Sequence, residues 1–146
     1  MNTPMIVGRE WLIEAAGCEP SALRDQKTLQ TIFSEIITDI GLKTVGGGIW
    51  HKFPGEGGIT GLEALTESHL ACHTYPEHGL ATFNLYCCKD RPEWNWKSRL
   101  AALLGASSVK VTKITRGNES AVEPPHTAEN KDLQFEIEMS VAGGDA

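Results

Sequence analysis

The stretch Leu65-Thr66-Glu67-Ser68-His69-Leu70-Ala71-Cys72-His73-Thr74-Tyr75-Pro76-Glu77 decides how the rest of the chain is read. It brings a serine hydroxyl, two imidazoles, a thiol and two carboxylates together among strand-forming residues. Polar, reactive groups inside an apolar strand cost stability and call for a reason. Pro76-Glu77-His78-Gly79 then reads as a four-residue turn, and Leu80 to Cys88 as another strand, so the two runs predict an antiparallel hairpin.

Pairing Tyr75 with Leu80 fixes the remaining partners of that hairpin. Ser68 falls opposite Cys87, and Cys88 falls near Glu67 and Ser68. A preceding strand, Ile59 to Leu65, turning back near Thr66-Glu67, brings Thr60 beside His73. One end of the sheet then carries a thiol beside a hydroxyl, and the other a hydroxyl beside an imidazole. At about 3.3 Å per residue, His69 and His73 stand roughly 13 Å apart, too far to share a zinc ion. Ser68 and His73 are roughly 16 Å apart by the same rise, so if they cooperate they come from two chains.

Working outward, Gly8 to Ala15 reads as a first strand, broken by Gly17-Cys18-Glu19-Pro20. Ser21 to Ile40 has the apolar spacing of a helix, with Gly41 at its end. Leu42 to Phe53 predicts a strand weakened by Gly46-Gly47-Gly48. The loop 54–58 is glycine-rich but lacks the Lys-Ser/Thr ending of a phosphate-binding loop. A helix over Pro92 to Leu104, a strand over Ser108 to Thr115, a polar linker to Asp132 and an alternating strand over Leu133 to Ser140 complete the pattern. The order predicts an α+β fold: a two-layer sandwich with a mostly antiparallel sheet and the helices on one face.

With 146 residues the chain forms one main domain, residues 1–117, followed by the extension 118–146. A net charge of −6 offers no basic surplus for a nucleic acid backbone. No apolar run reaches the roughly 20 residues that span a bilayer, and the first residues lack the basic and apolar regions of a signal peptide. The cytoplasm is the default compartment, and there the four cysteines are expected as thiols. No metal site is expected. Cys18, Cys72 and Cys87 read as packing residues, and His69 and His78 as structural or exposed.

Taken together, Glu67-Ser68-His69, His73-Thr74-Tyr75-Pro76-Glu77 and Cys88 resemble the pattern of the bacterial and archaeal S-adenosylmethionine decarboxylases, pyruvoyl-dependent enzymes of spermidine synthesis. Gly8-Arg9, Gly17-Cys18-Glu19, His51-Lys52-Phe53 and Arg116-Gly117 are similar patches in the same order. The resemblance implies a proenzyme that cuts itself between Glu67 and Ser68 and leaves a pyruvoyl group, derived from Ser68, to form a Schiff base with the substrate amine. It implies Thr60 as the hydroxyl that assists processing, His73 as the group that assists elimination, and Cys88 as the acid that protonates the product carbon. Glu77 would hold the ribose hydroxyls of S-adenosylmethionine and Phe53 would stack on its adenine. Active sites would form between two processed protomers of a homodimer.

The chain departs from that pattern at Thr60, where a serine is usual, at Tyr75 in place of tryptophan, at Glu10-Trp11 in place of His-Leu, and at Glu63, a carboxylate on an apolar strand. Glu63 is expected either to face solvent or to meet a cationic substrate. Two competing readings follow: a decarboxylase of the same fold acting on arginine or ornithine, and a paralogue that never cleaves and acts as a regulator.

Overall fold

A computed structural model describes residues 5–118 and 121–129. Its elements are β1 (Ile6–Ala16), α1 (Pro20–Leu23), α2 (Gln26–Asp39), β2 (Ile49–Lys52), β3 (Ile59–Ala64), β4 (Ser68–Tyr75), β5 (Leu80–Cys87), α3 (Trp96–Leu104), β6 (Ser108–Gly117), β7 (Ala121–Val122) and β8 (His126–Glu129). The strands form one antiparallel sheet in the order β2-β3-β4-β5-β1-β6-β7, with β8 also paired to β6.

Alternation along each strand separates two faces. Trp11, Ile13 and Ala15 of β1, Leu70 and Cys72 of β4, and Phe83, Leu85 and Cys87 of β5 are buried beneath Leu29, Ile32, Phe33 and Ile36 of α2 and Leu100 and Leu104 of α3. Arg99 of α3 donates through Nε and Nη2 to the Glu35 carboxylate of α2, tying the helices together over that face. The opposite face carries Glu10, His69, His73, Asn84 and Tyr86, and among the described residues no helix covers it. The fold is the expected α+β sandwich.

The central hairpins follow the predicted register: Tyr75 pairs with Leu80, Ser68 with Cys87 and Thr60 with His73. The β4–β5 connection is a 3₁₀ turn, Pro76–His78, closed by Gly79 at φ 60°, a left-handed conformation that glycine adopts without strain.

Elsewhere the boundaries differ from those expected. The helix predicted over Ser21 to Ile40 is two helices. Asp25 breaks it, because its side chain accepts from the backbone N–H of Lys27 and the hydroxyl of Thr28 and so caps a new helix. The strand predicted over Leu42 to Phe53 contracts to β2, with one isolated bridge from Thr44 to Leu65 before the three glycines. α3 begins at Trp96 rather than Pro92. Trp94, ahead of it, is buried and donates its indole N–H to Asp39 at 2.8 Å. The segment read as a linker after Arg116 contains β7 and β8, which fold back along β6. The strand expected over Leu133 to Ser140 lies outside the described residues.

Thr74 joins three elements. Its hydroxyl donates to the Leu23 carbonyl at 2.8 Å and accepts from the Ile59 N–H at 2.9 Å, all out of solvent. Thr74→Val keeps the shape but strands both partners, and should lower unfolding free energy by about 2 kcal/mol. Urea denaturation of the two proteins measures this; an unchanged midpoint would show that the bonds contribute nothing net.

Candidate active site

β4 carries reactive groups at both ends, and each end opens onto its own cavity. The Ser68 end lies at the turn from β3. There the Leu65 N–H donates to the Ser68 carbonyl at 2.9 Å, and the Thr66 N–H to the Lys43 carbonyl at 2.9 Å. The Glu67 carbonyl accepts from the Cys88 N–H at 2.7 Å. The Ser68 hydroxyl is buried and has no hydrogen-bond partner, an uncommon state for a hydroxyl. Glu67, Ser68 and Cys88 border a cavity of about 420 Å³. Ser68 pairs with Cys87, and Cys88, which follows where the backbone leaves β5, lines the same cavity as Ser68.

Sequence reasoning gave no site role to the rest of that cavity wall: Glu10, Leu65, Thr66, His69, Tyr86 and Arg116. The Glu10 carboxylate takes a hydrogen bond from Asn84 Nδ2 at 2.7 Å and pairs with Arg116 Nη1 at 2.9 Å. His69 stacks on Tyr86, with ring centroids 5.4 Å apart and planes 6° from parallel. A side chain at Gly8 would collide with the Tyr86 hydroxyl, which explains glycine at that point of β1. The available signal was Glu10 itself, a carboxylate alternating with the core residues Trp11 and Ile13.

Phe53, Thr60, His73 and Glu77 meet at the other end, around a cavity of about 390 Å³. Thr60 Oγ1 and His73 Nδ1 are 3.0 Å apart. The Phe53 ring sits edge-on to His51 at 4.5 Å and is half exposed. The loop 54–58 forms one wall. Arg24 Nε holds it through the Glu56 carbonyl at 2.8 Å, and Lys52 Nζ reaches the Arg24 carbonyl at 2.8 Å. The structure thus brings Ser68 and Cys88 together, brings Phe53, Thr60, His73 and Glu77 together, and keeps the groups apart. β4 is continuous between Ser68 and His73, which leaves them roughly 16 Å apart along the strand.

Glu63 reaches neither cavity. It shares the covered face with its partner Leu70, lies close to Gly48, and has one carboxylate oxygen buried without a partner. Burial raises its pKa. Glu63 is thus half-buried on the covered face, and it lines neither of these two cavities. Among the described residues no three His, Cys, Asp or Glu side chains converge as metal ligands, and no helix is long and apolar enough to cross a membrane.

A family model described as S-adenosylmethionine decarboxylase matches residues 9–117. The chain is 34% identical over 112 residues to the S-adenosylmethionine decarboxylase proenzyme 2 of Halalkalibacterium halodurans, covering 76% of this chain and 87% of that one. It is 33% identical over 123 residues to the S-adenosylmethionine decarboxylase proenzyme of Moorella thermoacetica, covering 84% and 94%. The adenosylmethionine decarboxylase of Aquifex aeolicus superposes with a TM-score of 0.67 over 81% of this chain and 99% of that one; at 23% identity this establishes likeness of fold. These comparisons support the main reading and not the arginine, ornithine or regulatory alternatives.

The four thiols differ sharply in setting. Burial pushes Cys18 and Cys72 up to about 12 and Cys87 up to about 11, whereas Cys88 is exposed. Since the thiolate is the reactive form, iodoacetamide at about pH 8 should label Cys88 alone in the folded protein and all four after denaturation. Peptide mass mapping reads this out, and native labelling of Cys72 or Cys87 would contradict the burial.

Proposed function

Because the chain belongs to the S-adenosylmethionine decarboxylase family, we propose that it is a self-processing proenzyme whose mature form is a homodimer decarboxylating S-adenosyl-L-methionine, through a pyruvoyl group made from Ser68, to the aminopropyl donor for spermidine. One observation carries this reading: two complementary sets of reactive groups lie at opposite ends of β4 on one continuous chain. A second copy across the open sheet face, related by a two-fold axis, would set Thr60, His73 and Glu77 of one chain against Ser68 and Cys88 of the other. Ile49, Leu62 and Phe53 expose large apolar area there, as a face that becomes buried requires. A cytoplasmic setting fits the four free thiols.

The local geometry supports the following course for processing. The Ser68 hydroxyl attacks the Glu67 carbonyl carbon; the Glu67–Ser68 C–N bond breaks, the hydroxyl proton passes to the freed amine, and an ester replaces the amide. The oxyanion that forms on the way sits where the Cys88 N–H already points. Removal of the Ser68 α-proton then expels Glu67 as a carboxylate. The resulting enamine tautomerises, takes up water and releases ammonia, so that one water is consumed for each chain cut. In one tautomer His73 Nδ1–H donates to Thr60 Oγ1, and this single bond prepares two tasks. It leaves the Thr60 O–H free to donate to the second copy's Glu67 carbonyl, and leaves Nε2 free to take the α-proton. Threonine keeps the hydroxyl that serine would supply.

The unpartnered Ser68 hydroxyl beside a held carbonyl fits the formation of a pyruvoyl group. That group supplies a carbonyl that condenses with an amine and accepts the electron pair released by decarboxylation. The chain's own residues do the rest. Phe53 offers an exposed aromatic face to a purine, and Glu77 on the same cavity accepts hydrogen bonds from ribose hydroxyls. The exposed Cys88 thiol is the group assigned to return a proton to the product carbon.

Intact-mass measurement should find two fragments, 1–67 and 68–146, with no free amine on the second. Ser68→Ala should remain whole, and Cys88→Ala should cleave yet lose roughly 10²- to 10⁴-fold in turnover, the usual contribution of a general acid. A wild-type chain that stays whole, or cleaves without releasing carbon dioxide from S-adenosylmethionine, would overturn the reading.

A further inference from the structure

The side chain of Glu67 is gripped from a segment with no assigned role. Lys89 Nζ lies 3.0 Å from Glu67 Oε1, and Arg91 Nη2 lies 4.0 Å from Oε2. Both cations lie within three residues after Cys88, whose N–H holds the Glu67 carbonyl. Arg91 also donates from Nη1 to the Ile40 carbonyl at the end of α2, at 3.4 Å, and Asp90 pairs with Arg9 at 3.3 Å. The segment 88–91 is thus anchored to the helix layer and to β1 while it presents one amide N–H and two positive charges to a single residue.

We infer that Lys89 and Arg91 are positioning residues for self-cleavage. They hold the Glu67 carbonyl against the Cys88 N–H, and they receive the carboxylate that cleavage leaves on Glu67. This rests on the proposed reading that the Glu67–Ser68 bond is cut. An exposed ion pair contributes little to stability by itself, so the physical argument lies in orientation and charge. The link from Lys89 ties the Glu67 side chain to the residue next to Cys88, whose N–H makes the 2.7 Å bond to the Glu67 carbonyl, and so the two contacts together constrain the carbonyl's direction as well as its distance. Negative charge then appears twice at this carbonyl: transiently as the oxyanion, and permanently as the new terminus of the small fragment. Cleavage adds one negative charge to a residue already bearing a carboxylate, and the two cations balance the pair. Without them that charge would form unmatched beside the cavity that must hold the carboxylate of the amino acid substrate.

The test follows cleavage of full-length chains by intact mass over time. Lys89→Ala/Arg91→Ala should cleave roughly tenfold more slowly than wild type, within the range of coupled-pair effects. Lys89→Arg/Arg91→Lys should cleave at nearly the wild-type rate. Exchanging the charges, with Glu67→Lys and Lys89→Glu in one chain, should restore most of what Glu67→Lys alone loses. About 1 M salt, which shortens the screening length to about 3 Å, should slow wild type more than the double alanine variant. Equal rates for wild type and the double alanine variant, or no recovery on charge exchange, would overturn the inference while leaving self-cleavage intact. An uncut wild-type chain would overturn the reading and the inference together.

Discussion

The structure depends on the stiffness of β4. It is hydrogen-bonded on both sides, to β3 and β5, and runs without a break from Ser68 to Tyr75. Paired this way, a strand has no means of folding one end back on the other. Ser68 and His73 are held apart by roughly 16 Å, a distance that side chains of this size do not span. The same rigidity gives each end its precision. Register alone sets Thr60 against His73 at 3.0 Å and brings Cys88 to the Glu67 carbonyl. One element thus assembles two accurate groups of reactive side chains and keeps them apart within a chain.

The two faces of the sheet reinforce this division. The covered face holds the tryptophans, the branched aliphatics and the buried thiols Cys72 and Cys87, and the helices there fix the sheet as a platform. The open face mixes exposed Ile49 and Leu62 with imidazoles, a carboxylate and a phenol. Such a mixture suits a surface that is both an interface and a site. Apolar area favours the approach of a second copy, and polar groups become useful once water is excluded around them.

Much of this was legible in the sequence, because period-two alternation and one turn determine a hairpin. Pairing Tyr75 with Leu80 propagates to every pair down to Ser68 and Cys87, and so to the separation of the two reactive groups. Local competition was harder to read. Asp25 lies within a helical periodicity, but its carboxylate prefers the backbone N–H groups of the next turn and starts a new helix. Trp94 sits in a window that looks helical, yet burying its indole against Asp39 delays α3. Tertiary partners were the least legible. Glu10 is an ordinary strand carboxylate until Asn84 and Arg116, 74 and 106 residues away, converge on it. Glu63 carries no sign of its place beneath the glycine segment.

The central claim is that each site is completed by a second chain, and mixing two inactive variants tests it most directly. Ser68→Ala and His73→Ala chains, distinguishable by mass, are co-expressed and the mixed dimer is isolated. In that dimer one site lacks both residues and the other lacks neither. The account predicts that neither variant cleaves alone, and that in the mixed dimer only the His73→Ala chain is cut, at its own intact Ser68. A His73→Ala chain that cleaves by itself, or stays whole in a verified mixed dimer, would contradict it.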